Sequence, residues 1–254
     1  MKSKQAIKDE PVGETTAWLV AIDGDPADLR SLAENLHEPS VKIVKRTDGY
    51  FVQLAVSASS PMARKAGEIA SSFVELMNSA AVAANDSRRP VTIDKGGIVG
   101  IDANGNVTSQ VILPQTGRAV ARGLRARIVS SGDAGDSEPL AVTLLRSAEQ
   151  SQARADALRL VGRRTPTWSE LYVAFELAQT NAGARIHSRR WASSSDIKCF
   201  KRTANSYTAL GRFARHGRDG KEPPKAPMEH RAAVALIRTL VVKWLAESAP
   251  KPVD

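Results

Sequence analysis

SSGDAGDSE, residues 130–138, is where the pattern of the chain changes. The stretch is small, polar and acidic, which is the composition of a linker. Before it the strongest local signals are hairpins, and after it every strong periodicity is helical. The change predicts an α+β domain over 15–130, a linker over 131–138 and a basic helical domain over 139–247, with 1–14 a loose polar tail. The expected fold class is α+β: a small antiparallel sheet with two helices, followed by an all-α helical domain. A chain of 254 residues is long enough for two cores.

Working back from the linker, Ala17–Ile22 is a short apolar run closed by Asp23-Gly24. Asp25-Pro26 supplies a helix N-cap and a proline for the first turn, followed by Leu29, Leu32, Ala33 and Leu36 at helical spacing. Asp48-Gly49 and Asn104-Gly105 each lie between apolar runs, the strongest short hairpin signal. Ser60-Pro61 opens a second helix with Ala66, Ile69, Ala70, Phe73, Met77 and Ala81 on one stripe, ending near Asn85. Val91–Asp94, Ile98–Asp102 and Val107–Leu113 read as three further strands, and 118–129 as a last one.

Working forward, Pro139 opens a helix expected to reach about Val161. Thr167 and Glu170 have the spacing of a capping box for a helix over 168–182. Ser193–Ser195 can cap the next, and Val234, Ile237, Val241, Trp244 and Leu245 stripe the last. A long basic connection, 205–227, separates these two.

Charge follows the same division. Residues 1–150 carry 17 basic and 18 acidic side chains, whereas 151–254 carry 19 and 9, so the net +9 lies wholly in the C-terminal part. Within it, 185–225 holds 11 basic and 3 acidic residues. Such clustering suits a polyanion, although a solvated basic face has the same composition. The lone cysteine, Cys199, excludes an internal disulfide and a zinc cluster, and suits a reducing, cytoplasmic setting. No membrane span is expected, because the apolar stretch 232–246 is short and carries Arg238 and Lys243.

Enzyme signatures are few. The chain has no phosphate-binding G-x-x-x-x-G-K-[ST] loop, no G-x-S-x-G elbow and no H-E-x-x-H, so no cofactor or metal is expected. Asp23-Gly24-Asp25 reads as a turn and a cap, and His37 as a surface side chain. The stretch that asks for an explanation is 199–228, CFKRTANSYTALGRFARHGRDGKEPPKAPM. Arg212, Arg215 and His216 lie within five residues of one another, a pattern that can hold a phosphate while an imidazole moves protons. Structurally, the same residues can end a helix at Asn205, turn the chain at Gly211 and pair with carboxylates of the first domain.

This region resembles a broad family of uncharacterised bacterial proteins with a C-terminal TAN…ARH…PPxxPM signature. It is carried here by Phe200, Thr203, Ala204, Asn205, Gly211, Ala214, Arg215, His216, Pro223, Pro224, Pro227 and Met228, then by Trp244-Leu245. The start at Trp18-Leu19-Val20 is similar too. That resemblance implies no activity. More distantly, the C-terminal domain is similar to HEPN-type ribonucleases, with only three residues between Arg212 and His216, a closer spacing than in that family. That similarity implies His216 as acid–base, Arg212 or Arg215 on the phosphate, and Asn205 orienting the imidazole.

The leading expectation is a basic helical domain that binds nucleic acid, RNA in preference to DNA, with HEPN-like cleavage as its extension. Arg185, Arg189, Arg190, Lys201, Arg202, Arg218 and Lys221 would make phosphate contacts. The alternative is a non-enzymatic adaptor that binds a protein partner through the α+β domain and uses the basic loop structurally.

Overall fold

The computed structural model describes residues 14–36, 41–56, 63–85, 89–111, 139–218 and 223–247. The linker, the last expected strand at 118–129, His37 and Lys221 lie outside them. The chain forms two compact units. The first takes the described residues up to Val74 and those from Arg89 to Val111; the second takes 75–85 and all those described from Pro139 onward.

The first unit is built on a five-stranded antiparallel sheet in the order β2-β3-β1-β4-β5. Its strands are β1 (Ala17–Asp23), β2 (Val41–Arg46), β3 (Gly49–Ala55), β4 (Thr92–Ile101) and β5 (Val107–Val111). Helices α1 (Pro26–Asn35) and α2 (Ala63–Ala83) interrupt them in the chain. Asp25 caps α1, its carboxylate accepting from the Ala27 amide at 2.9 Å, so Asp23-Gly24-Asp25 is a turn and a cap. Both hairpins form, the second around Asn104-Gly105 and the first one residue earlier than expected, on Thr47-Asp48, with Gly49 already paired to Arg46. At the second, Asp102 accepts from the Asn104 and Asn106 amides, each at 2.9 Å. The hydrogen bonds from Asn106 hold the Asp102 carboxyl below its usual range, so their contribution is present at neutral pH and fades on acidification through that lowered value.

Strand alternation gives the sheet two apolar faces. Val20, Val52 and Ile98 share one, and α2 lies against it at Gly67, where an added Cβ would stand 3.0 Å from Ile98 Cδ1. Ala17, Leu19, Phe51 and Ile101 form a buried cluster on the other, with Ala21, Val44 and Val99 beside them. The separate strands expected at 91–94 and 98–102 are one strand, β4. Lys95-Gly96-Gly97 resembles a break, but Gly97 adopts φ 92° and the pairing with β1 shifts register there, so the extra residues are absorbed without ending the strand.

The second unit is helical: α3 (Leu140–Glu149), α4 (Gln152–Val161), α5 (Trp168–Ala182), α6 (Arg185–Ser188), α7 (Ser194–Ala204), α8 (Tyr207–Leu210) and α9 (His230–Glu247). A 3-10 turn, Gly211–Phe213, follows α8. The single helix expected from Pro139 to Val161 is two, because Ser151 stops the first and caps the second by accepting from the Arg154 amide. The Thr167–Glu170 capping box forms with both bonds in place. Ile237, Leu240, Val241, Trp244 and Leu245 of α9 are buried, and α9 packs on α3, α4 and α5. Arg238 reaches from α9 to the carbonyls of Val161 (3.1 Å) and Arg163 (3.3 Å), satisfying acceptors left over at the end of α4.

The end of α2 belongs to this unit. Ser79 is buried and faces Gly162 so closely that a Cβ there would lie 2.4 Å from Ser79 Cβ. Glu75, one turn earlier, pairs with Arg159 of α4 at 3.5 Å. Among the described residues, no helix is long and apolar enough to cross a membrane.

Candidate nucleic-acid interface

The basic segment is tied to a rigid base. Phe200 of α7 is fully buried, with its ring centroid 6.1 Å from Trp168, 5.9 Å from Tyr172 and 5.8 Å from Phe175. α7 therefore sits on α5 by aromatic packing, which dispersion and ring quadrupoles both favour. Three bonds then fasten the chain beyond α7. The Arg215 amide donates to the Ala204 carbonyl at 2.9 Å, the Met228 amide to Thr203 Oγ1 at 2.9 Å, and Arg202 Nη2 to the Pro223 carbonyl at 3.1 Å. Cys199 and Met228 are half-buried, the thiol facing the Ala226 carbonyl at 3.6 Å.

The arginines divide into two sets. Arg215 lies 4.2 Å from the centroid of the Tyr172 ring and pairs with Glu176 at 3.3 Å, so its guanidinium is held on α5. Arg189 pairs with Glu247 of α9 at 3.0 Å, and Arg185 with the same carboxylate at 3.9 Å as well as with the carbonyls of Asn181 and Ala182. The carboxylates in these pairs belong to the helical unit itself. Lys201 stands 5.6 Å over the Phe175 ring. Arg190, Arg212, His216 and Arg218 are exposed as Arg185 and Arg189 are, but have no ion pair among the described residues; Arg212 stacks its guanidinium 4.9 Å from the ring of its neighbour Phe213.

Asn205 ends α7, its amide nitrogen donating to the Lys201 carbonyl at 2.8 Å. Its side-chain oxygen is buried without a hydrogen-bond partner among the described residues. No hydrogen bond joins Asn205 to His216 among the described residues. Gly211 holds φ 55° and ψ −134°, a backbone region that glycine alone enters readily, and it swings the chain from α8 into the 3-10 turn. Among the described residues, no group of three His, Cys, Asp or Glu side chains is placed to hold a metal ion. No family model matches the chain, and no curated protein and no solved structure matches it.

His216 and Arg215, adjacent in sequence, should therefore behave oppositely. His216→Ala is expected to change stability by no more than about 0.5 kcal/mol, as for an exposed side chain. Arg215→Ala should cost roughly 1 kcal/mol, since its pairing is about a third exposed and screened while its stacking on Tyr172 is partly desolvated. Urea denaturation of the two variants beside the parent distinguishes them.

Proposed function

We propose that the helical domain binds nucleic acid, RNA in preference to DNA, through the basic segment 185–225. The observation that carries this reading is the uncommitted cation set. Residues 205–218 contain three arginines, one histidine and no carboxylate. Of these side chains Arg212, His216 and Arg218 are open to solvent, while Arg215 anchors the segment. Among the described residues Arg212 and Arg218 have no carboxylate partner, which raises the local positive potential, and a phosphate backbone is the polyanion that lowers it. Cleavage, as an extension, would use His216 as acid–base and Arg212 on the phosphate, because the Arg215 guanidinium is already engaged by Glu176 and Tyr172.

The test is binding of a labelled RNA to the full chain at low salt, with Arg212→Ala and Arg218→Ala alongside the parent. Each variant should bind more weakly and lose about one unit from the slope of log affinity against log salt, with melting unchanged. Absence of RNA binding by the parent at low salt would remove the proposal.

A further inference from the structure

The aromatic residues of this protein are unevenly distributed. The chain has four tryptophans, three tyrosines and five phenylalanines. Ten of these twelve are buried or half-buried; Tyr207, 48% exposed, and Phe213, 62% exposed, are the exceptions. Both fall within the same stretch of seven residues, Tyr207 opening α8 and Phe213 closing the 3-10 turn that packs against it. Burying either ring would be favourable, so two exposed rings six residues apart represent stabilisation left unused. Exposed rings suit single-stranded nucleic acid when their neighbours share a positive charge. Here they do: Arg212 lies against Phe213, and no acidic side chain occurs between Asn205 and Arg218.

We propose that α8 and the 3-10 turn form a stacking platform for single-stranded nucleic acid, in which unpaired bases lie on Phe213 and Tyr207 while Arg212 and Arg218 meet the phosphates. The inference rests on the nucleic-acid reading above and narrows it to one kind of strand. Exposed rings interleaved with arginines accept any base, because every base has a flat face; a duplex, whose bases are already stacked, offers none to them. The platform is pre-organised. The bond from the Arg215 amide to Ala204, and the Arg215 side chain on Tyr172 and Glu176, fasten the chain after the turn back to the end of α7 and to α5, so little ordering is needed on binding.

The experiment compares a short labelled oligouridylate with a duplex RNA of equal length by fluorescence anisotropy, using the full chain. The parent should prefer the single strand. Phe213→Ala and Tyr207→Ala should each weaken single-strand binding about tenfold or more, leave duplex binding unchanged and leave the salt slope unchanged, since neither ring carries charge. Phe213→Trp should retain binding. If the parent binds strand and duplex equally, with a steep salt slope and no effect of removing either ring, the stacking platform is overturned while the nucleic-acid reading stands. If the parent binds neither at low salt, both fall.

Discussion

Phe200→Ala is expected to lower the stability of the helical unit by roughly 3–5 kcal/mol. The side chain is fully buried and touches Trp168, Tyr172 and Phe175, so its removal opens a cavity bordered by three rigid rings. Rings cannot collapse into the space as aliphatic chains can, and the cost of a core truncation grows with the cavity that remains. Because α7 carries the chain into the basic segment, loosening it should also blur the surface that Arg212 and Phe213 present. Urea unfolding followed by tryptophan fluorescence suits the measurement, since Trp168, Trp191 and Trp244 are all in this unit. A loss below about 1 kcal/mol would mean that Phe200 is not packed in this way.

Gly162→Ala should cost about 3 kcal/mol or more, at the upper end of what overpacking does. The added Cβ would lie 2.4 Å from Ser79 Cβ, 2.5 Å from Ser79 Cα and 2.7 Å from the Ser79 carbonyl oxygen. Two of these three are backbone atoms, so no rotamer change relieves the clash and either α2 or α4 has to move. Backbone strain plays no part, because Gly162 has φ −76° and ψ −8°, which alanine adopts freely. Without the contact to Ser79, the same substitution would stabilise by a few tenths to about 1 kcal/mol through the unfolded chain. The sign of the measured change therefore reports whether the end of α2 packs on α4.

What was legible in the sequence is what local chemistry decides. The Thr167–Glu170 box, the Asp25 and Ser193 caps and both hairpins depend on atoms a few residues apart. The α+β class follows from the same local patterns. Features that depend on distant atoms were not legible. Nothing near Ser79 announces that α2 ends against Gly162, eighty-odd residues later. Gly96-Gly97 looks like a turn until β1 pairs on both sides of it and a register shift absorbs the extra residues, and Ser151 looks like a mid-helix serine until it caps.

The site divides in the same way. Its basic composition and its glycine turn were readable, and so was the clustering of Arg212, Arg215 and His216. Which arginines are engaged and which are open was not, because Glu176 and Glu247 are 39 and 58 residues from Arg215 and Arg189. The exposure of Phe213 and Tyr207 had no sequence signal beyond their company of arginines, since an isolated aromatic reads equally well as core.

The most direct test of the account is the affinity of the full chain for single-stranded RNA measured across a range of salt concentrations. With Arg212, Arg218 and Arg190 open on the surface, log affinity should fall linearly with log salt. The slope should be about −2, near −0.7 for each of three phosphates neutralised on a single strand. A flat dependence, or no measurable binding at the lowest salt, would contradict it.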